Sequence, residues 1–460
     1  MKIMIIGGSF AGVSCAFRAR QLYPEAQITI VEKNQLLGFI PSGFIQYVTG
    51  AVASLEEAVF VQKKDLEAAA IAIHLEEALV ACFPEEHRIE TTKGGYEYDR
   101  LVLAYGSIQE SQLLEVSDEE ALSLVPLAYK NFESAHILAE KVPTANSISI
   151  IGGGQAGMEA ASAFVQLGKQ VSVFETMDYP LFKYFDQAFL APFLTDLEGI
   201  EGLTIHCNTS VKKITQRANL ERTVLEETIL EGTNKEATSF EIETNSGVER
   251  SDLALTMVNV HPKANPFYQV FESHSDNTIK TDAYLETSQA DVFAVGDLIQ
   301  IPALALKEQT YMPLINNAVR SGLVAAENLM KKTQPFKGGL RTIGTQLFGW
   351  YLASTGLLEA EAFNYPGKIA TKSFAVPARL FGGAVIYSKV TFDADTHQVL
   401  GVQLLSQENC LEKINTAALA IETKQTLEAL MQKDYFFQPA YTPVFDVINQ
   451  LGVGSGCDEI

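Results

Sequence analysis

The sequence contains few cysteines and almost no tryptophan: its 460 residues include five cysteines and one tryptophan. The cysteines are scattered and form no CxxC pair; they are Cys15, Cys82, Cys207, Cys410 and Cys457. This spacing argues against a disulfide framework and against a zinc site, and it is typical of a protein of the cytoplasm. We therefore expect no structural metal.

Positive charge is also scarce, with 34 Lys and Arg against 56 Asp and Glu and a net charge of −22. Such an acidic surface repels nucleic acid and anionic membranes, so we expect neither as a partner. No apolar run is long enough to span a membrane. Met1-Lys2 leads into a strand rather than into the apolar stretch of a signal peptide. The length and the 47% hydrophobic content predict a globular protein of about three domains.

The first 45 residues contain one recognisable unit. The apolar run Met1–Ile6 predicts a buried strand, Gly7–Gly12 a tight turn, Val13–Leu22 a helix and Ile28–Val31 a second strand that ends at Glu32. In such a unit the first glycine permits the turn, the last one permits close packing of the helix on the strand, and the helix N-terminus binds a pyrophosphate. The acid is placed to accept hydrogen bonds from an adenosine ribose.

The same pattern returns about 145 residues later. A strand, Ser147–Ile151, leads into the complete GxGxxG motif Gly152–Gly157, a helix to about Leu167 and the strand Gln170–Phe174, which ends at Glu175. Two copies of one dinucleotide-binding unit predict two bound nucleotides. In the second unit, an acid such as Glu175 hydrogen-bonds the 2′-hydroxyl of NADH and repels the 2′-phosphate of NADPH, so we expect NADH.

The remaining patterns complete the predicted fold. The 109–145 stretch reads as a linker followed by a helix, 208–250 as an antiparallel meander, and Pro313–Leu329 as a long helix. From about residue 331 strands and helices mix, which predicts a third domain of α+β type. The predicted fold class is therefore α/β, with two Rossmann-like nucleotide-binding domains and a C-terminal α+β domain.

Two further stretches accompany the two glycine turns: Tyr98–Gly106 (YDRLVLAYG) and Ala290–Asp297 (ADVFAVGD). With these four features the chain resembles the flavin disulfide reductase superfamily. It is most similar to the branch of NADH peroxidase, NADH oxidase and coenzyme A-disulfide reductase, over essentially its whole length. The resemblance implies an FAD-binding domain formed by 1–112 and 258–328, an NADH-binding domain over 113–257, and a C-terminal domain over 329–460 that forms a homodimer interface.

The resemblance also implies the residues that contact each cofactor. Those implied for FAD are Gly7, Ser9, Phe10, Ala11, Gly12, Glu32, Lys33, Ala104, Gly106, Gly296 and Asp297. Those implied for NADH are Gly152, Gly154, Gly157 and Glu175. Glu159 matches a family glutamate that lies near the flavin and the nicotinamide.

The chain departs from the family at its redox centre. Ser42 stands at the position of the family's redox cysteine, Phe10 at that of its active-site histidine, and Tyr105 replaces a threonine. A serine hydroxyl cannot form a sulfenic acid or a mixed disulfide. We read Cys15 as a small buried hydrophobe, and the acidic neighbours of Cys457 would raise its thiol pKa, so neither is expected to substitute.

These observations predict an FAD-dependent NADH oxidase that passes electrons to O2, forms H2O2 and uses no cysteine redox centre. A second hypothesis is an NADH-dependent reductase of a quinone or another organic acceptor, with an aromatic lining made by Phe10, Phe39, Phe44 and Tyr105. A third is a low-turnover flavoprotein that acts as a sensor or a binding partner. The complete second GxGxxG motif argues against the third.

Overall fold

The structure is a computed structural model. It describes residues 1–109, 114–116, 125–219, 237–258, 260–262, 269–306 and 308–453. Cys457 and residues 220–236 of the expected meander lie outside the described residues.

The first part of the chain contains the first predicted unit and a small antiparallel sheet. Its elements are β1 (Lys2–Ile6), α1 (Phe10–Leu22), β2 (Gln27–Val31), α2 (Gly43–Val48), α3 (Lys63–Ala68), β3 (Ile71–His74), β4 (Leu79–Phe83), β5 (Arg88–Thr91), β6 (Gly94–Glu97), β7 (Arg100–Leu103) and β8 (Ser107–Gln109).

The middle part contains the second unit and the meander. Its elements are β9 (Leu114–Val116), α4 (Phe132–Lys141), β10 (Ser147–Ile151), α5 (Gln155–Gln166), β11 (Gln170–Phe174), α6 (Gln187–Leu197), β12 (Leu203–His206), β13 (Val211–Asn219), β14 (Ala237–Thr244), β15 (Val248–Ser251), β16 (Leu253–Thr256) and β17 (Val260–Pro262). The short strand β9 lies in the stretch that we read as a linker and a helix, so that prediction was wrong there: β9 pairs in parallel with β13.

The last part closes the first sheet and then forms a separate layer. Its elements are β18 (Val292–Ala294), β19 (Ile301–Ala303), β20 (Glu308–Thr310), α7 (Ile315–Asn328), β21 (Ile343–Leu347), β22 (Trp350–Gly356), β23 (Ile369–Pro377), β24 (Val385–Asp393), β25 (Val399–Ser406), α8 (Lys413–Glu422), α9 (Leu427–Met431) and α10 (Val447–Gly452).

The first sheet is parallel, in the order β18-β7-β1-β2-β3. Its central strands are apolar and almost fully buried, as expected for a parallel sheet. Because β1 lies in the middle, the glycine turn after it stands at the carboxyl edge, where ligands bind in such folds. Helix α1 is held close to α7: a methyl group added to Gly322 would lie 2.2 Å from the Ala11 carbonyl oxygen.

The second parallel sheet repeats this arrangement in the order β12-β11-β10-β16. Its central strand β10 leads into the second glycine turn and α5. The described parts of the expected meander, β13 to β15, are antiparallel. Both glycine turns thus stand at the carboxyl edge of a parallel sheet.

The C-terminal region, which we define as β21–β25 with α8–α10, is an antiparallel sheet in the order β21-β22-β25-β24-β23. Helix α8 packs against β22 and β25, and its buried face contributes Ile414, Ala417 and Ile421 to the core of this region. The architecture agrees with the predicted combination of two parallel α/β units and an α+β part. The domain boundaries stay a prediction.

Candidate active site

One large cleft, with a volume of about 2340 Å³, runs between the two glycine turns. It is lined by most of the predicted site residues: Gly7, Ser9, Phe10, Ala11, Glu32, Lys33, Ser42, Ala104, Gly106, Gly152, Gly154, Glu159, Glu175, Gly296 and Asp297. Gly12 and Gly157 do not line it, because they pack each helix onto its preceding turn. The fold therefore places residues as far apart in the chain as Gly7 and Asp297 around one space.

The two turns have the same backbone geometry. Gly7 and Gly152 adopt φ values of +115° and +108°, a region that favours glycine. A Cβ on Gly12 would lie 2.0 Å from the Gly7 carbonyl oxygen, and one on Gly157 would lie 1.9 Å from that of Gly152. These glycines are required by the close approach of helix and turn.

The two acids also have equivalent surroundings. Glu32 accepts a hydrogen bond from the backbone N–H of Gly8 at 2.7 Å, and Glu175 accepts one from that of Gly153 at 2.8 Å. Both carboxylates are buried. The sequence suggested a role toward a ribose; the structure adds that each acid also closes its own glycine turn.

Three cleft residues near Asp297 were missed by the sequence reasoning. Ser107 donates a hydrogen bond to Asp297 Oδ2 at 2.5 Å, and Lys130 donates one to Ser107. Lys130 Nζ lies 3.8 Å from Asp297 Oδ2. Burial lowers the pKa of Lys130, an effect that the Asp297 carboxylate partly offsets. Tyr311 is the third residue, and burial raises the pKa of its phenol.

These residues fit FAD. The Tyr311 hydroxyl is buried near Ser107 and makes no hydrogen bond of good geometry within the described residues, as expected of a group that faces a polar ligand. Lys33 and Lys130 line the same cleft, and an ammonium group of either could pair with a pyrophosphate. The second turn fits a nucleotide as well, because Gly154 has no atom within 4 Å of an added Cβ and so leaves room for close approach.

Ser42 and Phe10 stand at the positions where the resemblance implies a redox thiol and a histidine. Ser42 precedes α2 and its side chain lines the cleft. The ring of Phe10 stacks on that of Phe60, with centroids 4.4 Å apart and planes 11° apart. The loop that carries Ser42 is fixed to the neighbouring segment, since Ile40 N–H donates to the Ala58 carbonyl oxygen at 2.9 Å. Ser42 and Phe10 line the same cleft, and the Phe10 ring can exchange no proton.

Thiols are not available in the described part of this cleft. Cys15, Cys82, Cys207 and Cys410 are free, and none of them lines it. Burial raises the pKa of Cys15 to about 12 and those of Cys82 and Cys410 to about 11. These three thiols stay protonated and unreactive at neutral pH.

The aromatic lining proposed for a flat acceptor is partly corrected. Phe10, Phe39 and Tyr105 line the cleft. Phe44 does not, because it is fully buried against Tyr129, with ring centroids 4.5 Å apart. The prediction for Phe44 was therefore wrong.

Glu159 lies in the first turns of α5 and faces the cleft. Its Oε1 accepts hydrogen bonds from Gln155 Nε2 at 3.0 Å and from Thr345 Oγ1 at 2.6 Å. Thr345 belongs to β21 of the C-terminal region and is buried. The carboxylate is thus held by two different parts of the fold.

Comparison with known proteins identifies the family of the chain. The family model described as pyridine nucleotide-disulphide oxidoreductase matches residues 1–322, and the model of that family's dimerisation domain matches residues 344–447. The chain belongs to the pyridine nucleotide-disulphide oxidoreductase family. The predicted fold class and family are confirmed.

The oxidoreductase is similar to several known proteins over nearly its whole length. A solved pyridine nucleotide-disulfide family oxidoreductase from Enterococcus faecalis is 36% identical, with a TM-score of 0.82 and coverage of 98% of both chains. An NADH oxidase of Enterococcus faecalis is 26% identical over 98% of each chain. An NAD(P)H coenzyme A polysulfide/persulfide reductase of Pyrococcus horikoshii is 26% identical over 97% of this chain and 96% of the relative.

The chain is accordingly an FAD-dependent NAD(P)H oxidoreductase, with FAD and a pyridine nucleotide as its cofactors. Within the described residues no helix is long and apolar enough to cross a membrane. The same residues contain no group of three or more His, Cys, Asp or Glu that could hold a metal ion.

Proposed function

We propose that this oxidoreductase is an NADH oxidase that delivers electrons to O2, forms H2O2 and uses no thiol redox centre. The observation that carries the proposal is the cleft around Ser42. A hydroxyl group stands where the resemblance places a redox thiol, the Phe10–Phe60 stack stands where it places a histidine, and no described cysteine lines the space. Two relatives that bear the name NADH oxidase support the proposal.

Each cofactor is assigned to one glycine turn. FAD would be held by the first turn, Glu32, Lys33, Lys130 and Asp297, and the nicotinamide nucleotide by the second turn and Glu175. When bound, FAD supplies the redox chemistry, because it accepts a hydride from the nicotinamide and passes two electrons to an acceptor. The protein binds and orients both partners and provides the surrounding charges.

The nucleotide is proposed to be NADH. The Glu175 carboxylate is buried beside the second turn and accepts hydrogen bonds from Gly153 N–H and Met177 N–H. A 2′-phosphate at this place would meet a negative charge held rigidly by the backbone. Thr176 and Met177 follow and offer no cation to a phosphate.

Hydrogen peroxide is proposed as the product because its further reduction needs a group that this cleft lacks. A cysteine thiolate can be oxidised by peroxide to a sulfenic acid and then regenerated, whereas the Ser42 hydroxyl cannot. Phe10 can neither donate a proton to peroxide nor accept one from it. The expected reaction therefore ends after two electrons have reached oxygen.

A second candidate is the reduction of a quinone or a similar flat organic acceptor. The rings of Phe10, Phe39 and Tyr105 line the cleft and offer apolar faces on which such a molecule can stack. In that case O2 would be a slow side acceptor. Homodimerisation through the C-terminal region and a cytoplasmic location complete the proposal; they follow from the family's dimerisation domain and from the cysteine pattern.

The test is the ratio of NADH oxidised to H2O2 formed by purified, FAD-loaded protein in air-saturated buffer. We expect a ratio near one with sustained turnover. Two NADH consumed per O2 without H2O2 would contradict the proposed product. Fast NADH oxidation that depends on an added quinone and not on oxygen would favour the second candidate, and negligible turnover with every acceptor would favour a sensor or binding role.

A further inference from the structure

The polar contacts between helix α5 and the C-terminal region suggest a function for that region within a single chain. On α5, Glu159 accepts a hydrogen bond from Thr345, and Ser162 Oγ accepts one from Phe348 N–H at 2.9 Å. Both partners belong to the β21–β22 hairpin or its turn. Of the two acceptors on α5, Glu159 lines the cleft and Ser162 does not.

The hydrogen bonds on Glu159 are distributed unequally over its two oxygens. Oε1 accepts from both Gln155 and Thr345, while Oε2 has no hydrogen-bond partner among the described side chains and backbone groups. Fixing one oxygen of a carboxylate restricts rotation about its last torsion, so the other oxygen keeps one direction. A carboxylate held in this way can orient a ligand more accurately than one that rotates.

The position of Glu159 relative to the nucleotide follows from the second turn. If the adenosine ribose lies at Glu175 and the pyrophosphate at the N-terminus of α5, the nicotinamide half must extend away from Glu175 into the cleft. Glu159 lies in the second turn of α5, on the side that faces this space. Its charge is also felt by neighbouring phenols, since it contributes to raising the pKa of Tyr129 and Tyr184, for which burial is the main cause.

We propose that Thr345, a residue of the C-terminal region, is a positioning residue for hydride transfer. Its hydroxyl group, together with the Gln155 amide, holds Glu159 so that the free oxygen orients the nicotinamide end of the nucleotide. The inference rests on the proposed use of NADH. It assigns to the C-terminal region a role in the reaction that differs from dimer formation.

The test first compares three variants of the FAD-loaded protein with the wild type by the anaerobic, single-turnover rate of flavin reduction at saturating NADH. Thr345→Val removes the donor and keeps the shape, and we expect the rate to fall about tenfold, as for loss of a hydrogen bond to a charged group. Thr345→Ser restores the donor and should stay within about threefold of the wild type. Ser162→Ala is the matched control, because it removes a contact between the same two elements without touching Glu159.

The Glu159→Ala background separates positioning from a general structural effect. If Thr345 acts through Glu159, adding Thr345→Val to Glu159→Ala leaves the rate unchanged. A second readout is the dissociation constant for NAD⁺ by titration calorimetry, which should rise for Thr345→Val and not for Ser162→Ala.

Three results would overturn the proposal: an equal loss of rate from Thr345→Val in the Glu159→Ala background, an equal loss from Ser162→Ala, or no loss from Thr345→Val. If NADH does not reduce the flavin of the wild-type protein, the proposed function itself is refuted instead. The two failures are therefore distinguishable.

Discussion

At the scale of single residues, Glu175 carries the proposed choice of nucleotide. We predict that Glu175→Arg lowers kcat/KM for NADH about tenfold to a hundredfold, since it removes a charged acceptor of the Gly153 and Met177 amides and of the ribose. The same change should favour NADPH in relative terms, because an Arg can pair with the 2′-phosphate. Steady-state kinetics with both nucleotides measure the shift. Glu175→Gln keeps a neutral acceptor for the turn and should give an intermediate preference for NADH over NADPH. Unchanged kinetics in both variants would contradict the assignment of nucleotide choice to Glu175.

Also at this scale, the proposal attributes the lack of peroxide reduction to Ser42 and Phe10. We predict that Ser42→Cys alone yields no appreciable peroxidase activity. The resemblance places the proton donor at Phe10, whose ring stacks on that of Phe60 with centroids 4.4 Å apart and can donate no proton. NADH-dependent consumption of H2O2 under anaerobic conditions measures this. The double variant Ser42→Cys with Phe10→His is the comparison, and robust peroxidase activity from the single variant would show that the proposed cause is wrong.

At the scale of elements, the junction between the second unit and the C-terminal region contains a buried ion pair. Asp186 immediately precedes α6, and Lys389 lies on β24; their side chains are 8% and 6% exposed, and Lys389 Nζ lies 2.9 Å from Asp186 Oδ2. Asp186 also accepts hydrogen bonds from Gln403 Nε2 and from Ala360 N–H. Burial alone would raise the pKa of Asp186, but the hydrogen bonds lower it below its ordinary value of 3.8.

We predict that Lys389→Met lowers the free energy of unfolding by about 3–5 kcal/mol, because it leaves the Asp186 carboxylate buried without its cation. Urea unfolding can be followed through Trp350, the single tryptophan, whose Nε1 donates to Asp196 across the same junction. Lys332→Met is the control: Lys332 pairs with Asp282 and Glu286 at the surface, and its loss should cost less than about 1 kcal/mol.

The sign of the pH dependence follows from the lowered pKa of Asp186. The ionised Asp186 carboxylate stabilises the folded state fully above pH 3.8, its ordinary pKa. This stabilisation is lost as the pH falls through the lower pKa of the folded state. The loss caused by Lys389→Met should therefore be largest near neutral pH and shrink in strong acid. A loss that is equal for both lysines, or independent of pH, would contradict this account of the junction.

The sequence predicted those elements whose signal is local. The two glycine turns were predictable because only glycine fits at Gly7 and Gly152, and the parallel strands because they are continuous apolar runs. Ser107 and Lys130 were missed because the fold brings them to Asp297 from distant parts of the chain. Phe44 was misplaced because sequence spacing does not tell which side of a short helix meets Tyr129. The contact of Thr345 with Glu159 joins residues 186 positions apart and has no local signal.

At the scale of the whole molecule, the C-terminal region exposes a group of large apolar side chains. We call this the C-terminal aromatic patch; its members are Phe381, Phe436, Phe437, Tyr441 and Phe445, which are 53–75% exposed. The Leu380 N–H donates to the Thr442 carbonyl oxygen at 3.1 Å and so joins the two segments that carry it. A group of exposed aromatic side chains of this kind is typical of an interface.

We predict that the oxidoreductase sediments as a homodimer and that the double variant Phe436→Glu, Phe437→Glu sediments as a monomer, because burying two carboxylates against an apolar partner surface is unfavourable. Analytical ultracentrifugation measures this. Val248→Glu is the control, since Val248 is an equally exposed apolar residue on β15, outside the patch. A monomeric wild type, or dimers formed by the double variant, would show that the patch is not the interface.

The central claim is that electrons leave the bound flavin without passing through a thiol. The most direct test is an anaerobic titration of the FAD-loaded protein with NADH, followed by the absorbance of the oxidised flavin. One equivalent of NADH per FAD should bleach the flavin completely, with no further uptake. Consumption of a second equivalent would require another redox centre in the chain, and it would contradict the proposed thiol-free oxidase.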